Sequence, residues 1–123
     1  MNVVNVKVSY IHPKYNNLKE WINDKNNVYI GRSHVVFIDG KRYPDKQSIW
    51  ANPFKLKKDG NRENVMIQYE KYIREKIEKN EITKDQLMEL KSKTLGCWCK
   101  PEVCHGDILM KIINEFDNID NKN

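Results

Sequence analysis

The residues best suited to chemistry lie in one short segment, which runs Cys97-Trp-Cys-Lys-Pro-Glu-Val-Cys104 and is followed directly by His105. It holds all 3 cysteines of the chain. An odd number of cysteines leaves one thiol outside any intramolecular disulfide. Clustered thiolates beside an imidazole are typical ligands of soft or borderline metal ions. The segment therefore predicts a metal centre formed by Cys97, Cys99, Cys104 and His105.

The spacing of these ligands leaves three interpretations open. An iron–sulfur cluster has several iron corners, so cysteines two residues apart can bind different irons, and histidine is an attested fourth ligand. Zinc would take all four side chains, although its cysteine pairs are usually spaced C-x2-C or wider. A metal-free alternative makes Cys97 or Cys104 the nucleophile of a thiol enzyme that acts on a nucleotide or base.

We expect the iron–sulfur cluster, in a redox, sensor or open-site small-molecule role. The zinc alternative is a module that contacts nucleic acid, and the thiol alternative is an enzyme. No motif decides whether the chain is an enzyme, because it lacks the signatures of a Ser-His-Asp triad and of a phosphate-binding loop.

The elements around the cysteines explain how they would be positioned. Residues 94–99 read as a short strand, on which Cys97 and Cys99 point to the same face. Pro101 marks a turn, and a last helix runs from Cys104 or His105 to Phe116. Cys104 therefore lies at a helix N-terminus, where the helix dipole and the free N–H groups favour a thiolate.

The remaining patterns predict the fold class. Strands are expected over residues 3–9 and 28–31, and a hairpin over residues 35–43 with Asp39-Gly40 as its two-residue turn. Helices are expected over residues 17–23 and 61–79 and after the capping box at Thr83. We predict a single small α/β (or α+β) domain over residues 1–116, with a short central sheet flanked by helices and an inserted β-hairpin. Residues 117–123 are expected to be a disordered tail.

Composition limits the location and the partners. The 123 residues are 39% hydrophobic and carry a net charge of +5, which favours an anionic small molecule or nucleic acid as partner. No apolar run is long enough to span a membrane, and the N-terminus lacks the features of a secretory signal. The expected location is therefore a reducing cytoplasm, where clustered cysteines point to a metal or to catalysis rather than to structural disulfides. A homodimer that shares or flanks the cluster is the expected oligomer.

Three segments together resemble a known family. They are Tyr29-Ile-Gly-Arg32, Trp50-Ala-Asn-Pro-Phe54 and Leu95-Gly-Cys-Trp-Cys-Lys-Pro-Glu-Val-Cys-His-Gly-Asp-Ile-Leu109. The chain is similar to a family of small proteins of unknown function in phages, bacteria and large DNA viruses. It resembles a giant-virus iron–sulfur protein in particular, which implies a location in the host cytoplasm. The resemblance also implies that Gly31, Arg32, Asn52 and Phe54 lie near the cysteines.

The chemistry of Arg32, Asn52 and Phe54 fits a substrate or anion site. A guanidinium on a loop after a strand can bind an anion, and an amide beside an aromatic ring can bind the edge of a base or ring. The structural alternative is that Arg32 pairs with a carboxylate and that Asn52 holds the loop before Pro53.

Overall fold

The computed structural model describes the backbone of residues 2–121 and the side chains of residues 2–119. Its strands are β1 (Asn2–Asn5), β2 (Asn27–Tyr29), β3 (Val36–Ile38), β4 (Lys41–Tyr43) and β5 (Thr94–Cys97). Its helices are α1 (Val8–Ile11), α2 (Leu18–Asn23), α3 (Arg62–Glu78), α4 (Lys84–Glu89) and α5 (His105–Asn121), and a 3-10 turn covers Leu90–Ser92.

A three-stranded parallel sheet forms the centre of the fold. Its order is β1-β5-β2, so the strand that carries Cys97 lies between the other two. In a parallel sheet all carboxyl ends meet at one edge, where open α/β sheets bind their ligands. Cys97 ends β5 at this edge, and Gly31 and Arg32 follow β2 there.

Two hydrophobic clusters cover the two faces of the sheet. The larger cluster packs α3, α4 and α5 against it through Tyr69, Ile73, Leu87, Leu95, Leu109, Ile112 and Ile113. The smaller cluster joins α1 and α2 to the opposite face through Val6, Ile11, Leu18, Trp21 and Tyr29. Gly96 lies where α2 comes closest to the sheet, since a Cβ there would overlap the Trp21 ring and the Val6 side chain.

The mixed α/β class predicted from the sequence is confirmed: helices flank a short central sheet. The hairpin is confirmed as a separate antiparallel pair, β3-β4, in which Asp39 and Gly40 have φ angles of 53° and 78°. The capping box at Thr83 is confirmed, because its side chain accepts from the backbone N–H of Gln86.

Two element boundaries differ from the prediction. The first strand ends at Asn5 rather than residue 9, because the Asn5 side chain accepts a hydrogen bond from the backbone N–H of Lys7 and turns the chain into α1. The last helix continues past Phe116 to Asn121, so residues 117–121 of the predicted tail are helical. Lys91 pairs with Asp117 at 2.8 Å and holds this extension to the body. Residues 122 and 123 lie outside the described residues.

Within the described residues, none of the helices has both the length and the apolar character needed to cross a membrane.

Candidate functional site: three thiols beside a cationic pocket

The cysteine segment leaves the sheet sooner than the sequence predicted. Strand β5 ends at Cys97, so Cys99 lies in the following turn rather than on the same strand face. The Asn5 side chain fixes this turn by donating to the carbonyl of Lys100 at 2.6 Å and to that of Trp98 at 3.3 Å. As a result, Cys97 is buried and Cys99 is only half-buried.

The beginning of α5 positions Cys104. The Asp107 carboxylate accepts a hydrogen bond from the backbone N–H of Cys104 at 3.0 Å and caps the helix. The same carboxylate pairs with Lys100 at 2.7 Å, which joins the two ends of the cysteine turn. The close packing of α5 on the sheet needs Gly106, because a Cβ there would lie 2.8 Å from Val3 and 2.9 Å from Ile30.

Two of the three sulfurs are in direct contact. The Cys97 thiol donates to the Cys104 sulfur at an Sγ–Sγ distance of 3.1 Å, and both residues are fully buried. This hydrogen bond raises the pKa of Cys97 and lowers the pKa of Cys104. Backbone N–H groups of Gly106 and Asp107 also lower the pKa of Cys104, against the effect of burial. Cys104 is therefore the more acidic thiol of the pair.

Cys99 joins the pair from the solvent side. Its hydrogen bond to Cys97 and its burial raise the pKa of Cys99, whereas the nearby Arg62 guanidinium opposes this shift. Arg62 is held in place because it also donates to the carbonyl of Val103 at 2.9 Å. The three thiols thus lie between the solvent side and the N-terminus of α5, with the Cys97–Cys104 contact at the buried end.

The His105 imidazole is buried and hydrogen-bonded, so it is not a solvent-exposed base. Its Nε2 lies 2.7 Å from the carbonyl of Ile30 and donates to it, so Nδ1 carries no proton in the neutral ring. Its ring contacts Tyr69 edge to face, with the centroids 5.0 Å apart. Burial lowers the pKa of His105 against the opposing effect of the Ile30 hydrogen bond, and the imidazole is neutral at pH 7.

The three thiols and His105 have the chemistry of metal ligands, but their arrangement does not fit an ion. In the part of the chain whose side chains are described, no group of three or more His, Cys, Asp or Glu residues is arranged to hold a metal ion. The Cys97 and Cys104 sulfurs touch at 3.1 Å. Two ligands about 2.3 Å from one tetrahedral zinc would lie further apart than that.

A pocket of about 450 Å³ opens beside the thiols. Its walls include Cys97, Cys99 and the cations Arg32, Lys55 and Arg62, and no aspartate or glutamate side chain is among its lining residues. In the described part of the chain none of these three cations makes an ion pair. The remaining walls are mostly apolar and include Val35, Phe54, Leu56, Val65, Met66 and Trp98.

The pocket also brings together Arg32, Asn52 and Phe54, which the family resemblance implied to lie near the cysteines. Arg32 binds backbone carbonyls rather than a carboxylate: it donates to the Asn52 oxygen at 3.0 and 3.2 Å and to the Phe54 oxygen at 3.1 Å. The Asn52 side chain accepts from the Phe54 N–H at 2.9 Å, which holds the loop around Pro53. These residues build the wall of the pocket, and Gly31 lies beside them.

Sequence reasoning missed two contributions to this site. In the sequence Arg62 and Lys55 count only toward the net charge of +5, yet both line the pocket. Asn5 was assigned only to a strand, yet it anchors the cysteine turn 95 residues away. The one local signal for Arg62 is its position at the first turn of α3, directly after the Asn61 cap.

Comparison with known proteins places the chain among viral relatives. An uncharacterized protein of Acanthamoeba polyphaga mimivirus is 38% identical over 104 residues, which cover 73% of this chain and 71% of that protein. An uncharacterized 12.4 kDa protein from the nrdA-td intergenic region of Enterobacteria phage T4 is 40% identical over 69 residues, or 56% of this chain and 63% of the phage protein. No solved structure matches the chain significantly.

The profile of one protein family matches residues 14–115, which include the pocket walls and the whole cysteine segment. The chain therefore belongs to the family described as Domain of unknown function (DUF4326).

Proposed function

We propose that this chain binds an anionic small molecule of about mononucleotide size in the pocket beside the thiols. One observation carries the proposal: three cations without carboxylate partners, Arg32, Lys55 and Arg62, line a pocket that has no acidic side chain. Unpaired cations in a partly enclosed pocket favour a negatively charged ligand, because the low-dielectric walls strengthen the attraction.

The size and the apolar part of the pocket narrow the ligand class. About 450 Å³ lies in the usual range of ligand pockets, which is roughly 300–1,000 Å³. Phe54 and Trp98 lie in the same walls, and Trp98 is 36% exposed. An anion that also carries a ring would use both halves of the pocket, as a nucleotide does.

Thermal stabilisation by three matched probes tests this proposal. AMP is expected to raise the melting temperature more than adenosine or inorganic phosphate at equal concentration, because only AMP has both a charge and a ring. The effect is expected to shrink in Arg62→Gln and to persist in Lys71→Gln, a cation on the exposed surface of α3. Equal shifts with all three probes, or an equal AMP response in both variants, would refute it.

The iron–sulfur cluster remains a second proposal for the same cysteines. The convergence of three thiols supports it, together with the backbone N–H groups that face the Cys104 sulfur. Binding would require Cys97 and Cys104 to move apart from their 3.1 Å contact. Zinc is the alternative metal, and it too would require the Cys97 and Cys104 sulfurs to separate.

Metal analysis of protein purified without oxygen decides this second proposal. Iron and acid-labile sulfide in stoichiometric amounts, lost in a Cys97→Ser, Cys99→Ser, Cys104→Ser triple variant, are the expected result for a cluster. Zinc without sulfide would replace the proposed cluster by a zinc site. If neither iron nor zinc is found, the cysteines are free thiols.

A further inference from the structure

We infer that Cys97 and Cys104 form a dithiol–disulfide couple that exchanges, through Cys99, with disulfides of low-molecular-weight anionic thiols bound in the pocket. This inference rests on the proposed binding of anions there. It adds a chemical activity and a substrate class to that site.

The first step of the argument is the contact between the two buried sulfurs. At 3.1 Å, the Sγ atoms of Cys97 and Cys104 need to approach by about 1 Å to reach the length of a disulfide bond. Both residues lie at the ends of fixed elements, Cys97 at the end of β5 and Cys104 just before α5. A bond between them therefore forms and breaks without rearranging the sheet or the helix.

The second step is the access that Cys99 provides. Cys97 is 1% exposed and Cys104 is fully buried, so neither is readily reached from bulk solvent. Cys99 is half-buried and lines the pocket together with Cys97. It is the more accessible thiol, which a bound disulfide meets first, and it lines the same pocket as Cys97, the first member of the buried pair.

The third step is the charge of the pocket, which selects the substrate. Arg62 lines the pocket with Cys99 and is held there by its hydrogen bond to the Val103 carbonyl, so one cation is fixed in the same wall as the reacting thiol. Lys55 and Arg32 add two further positive charges without acidic side chains in the walls. A disulfide whose two halves carry carboxylates is attracted to this place, and a cationic disulfide is repelled.

The exchange balances in atoms and electrons. Cys99 gives up its proton and attacks one sulfur of R–S–S–R as the thiolate, a charge that the Arg62 guanidinium favours. A mixed disulfide forms, and the first thiol takes up a proton and leaves as R–SH. Cys97 then attacks the Cys99 sulfur and releases the second thiol, and Cys104 attacks Cys97 and restores the Cys99 thiol. The sum is R–S–S–R plus two cysteine thiols, giving the Cys97–Cys104 disulfide plus two R–SH. Two electrons pass from the protein to the substrate.

The experiment treats the reduced full-length protein with oxidised glutathione, which is anionic, and in parallel with cystamine, which is cationic. Rates are normalised to the reaction of each disulfide with free N-acetylcysteine. Mass spectrometry after alkylation is expected to find the Cys97–Cys104 disulfide and two released glutathiones per chain. In Cys104→Ser the reaction is expected to stop at a disulfide that involves Cys99. In Cys99→Ser the reaction is expected to be much slower.

A charge variant tests the selectivity. Arg62→Gln is expected to lower the normalised preference for oxidised glutathione over cystamine by about tenfold, and Lys71→Gln to leave it unchanged. No preference in the unmodified protein, or a Cys97–Cys104 disulfide that forms equally fast in Cys99→Ser, would overturn the inference. If AMP still stabilises the protein while no disulfide forms, the thiol inference fails and the anion site stands. If AMP has no effect, the proposed function itself fails.

Discussion

Asn5 is expected to hold the cysteine turn against the sheet, and its replacement should both destabilise the protein and expose Cys99. Its Nδ2 donates to the Lys100 carbonyl at 2.6 Å and to the Trp98 carbonyl at 3.3 Å. Its Oδ1 accepts from the Lys7 N–H at 2.8 Å. In Asn5→Ala all three hydrogen bonds are lost.

The magnitude follows from the quality of these bonds. A net hydrogen bond contributes about 1 kcal/mol, and the long bond to Trp98 contributes less, so Asn5→Ala should lower the free energy of unfolding by about 2 kcal/mol. Asn5→Asp keeps the acceptor for Lys7 but turns a carboxylate oxygen towards two carbonyl oxygens. That variant should therefore cost more, about 3 kcal/mol.

Two measurements check this prediction. Urea unfolding gives the free energies, and alkylation of Cys99 by iodoacetamide, a neutral reagent, gives the accessibility of the turn. Alkylation is expected to be at least about threefold faster in Asn5→Ala, because the released turn opens more often. Asn2→Ala, at the exposed start of the same strand, is the matched control. An Asn5→Ala protein with unchanged stability and unchanged alkylation would refute the anchoring argument.

Three further predictions concern the core, the pH dependence and the pocket wall. Gly96→Ala should lower the free energy of unfolding, measured in urea, by about 2–3 kcal/mol, because its Cβ would overlap the Trp21 ring. A variant with unchanged stability would contradict the close approach of α2 to the sheet. Burial lowers the pKa of His105 below 6.5, so the unfolded state binds the proton more readily. The contribution of neutral His105 to stability should therefore be fully present above pH 6.5, and the free energy of unfolding should fall by up to about 2 kcal/mol at pH 5. In His105→Gln this pH-dependent loss should be absent. Arg32→Lys keeps the charge but loses the pair of hydrogen bonds to the Asn52 carbonyl. It should lower the free energy of unfolding by about 1–2 kcal/mol and weaken AMP binding. Unchanged stability together with unchanged AMP binding would contradict the role of Arg32 in building the pocket wall.

Local elements were predictable because their causes lie within a few residues. Asp39-Gly40 tolerates the positive φ angles of a hairpin turn, and Thr83 with Gln86 closes a capping box three residues apart. The boundaries were less predictable. The end of β1 depends on the Asn5 side chain, and the extension of α5 depends on contacts such as the Lys91–Asp117 pair, which join distant parts of the chain.

The sequence by itself determined that three thiols and a histidine lie together, because they are neighbours in the chain. Only the tertiary structure decided how their sulfurs meet, since β5 ends at Cys97 and α5 brings Cys104 to within 3.1 Å of it. It also decided that Arg62 lies beside Cys99 and that Arg32 closes the loop at Asn52. Such contacts come from packing α3, α5 and the sheet around one core, and no local pattern encodes them.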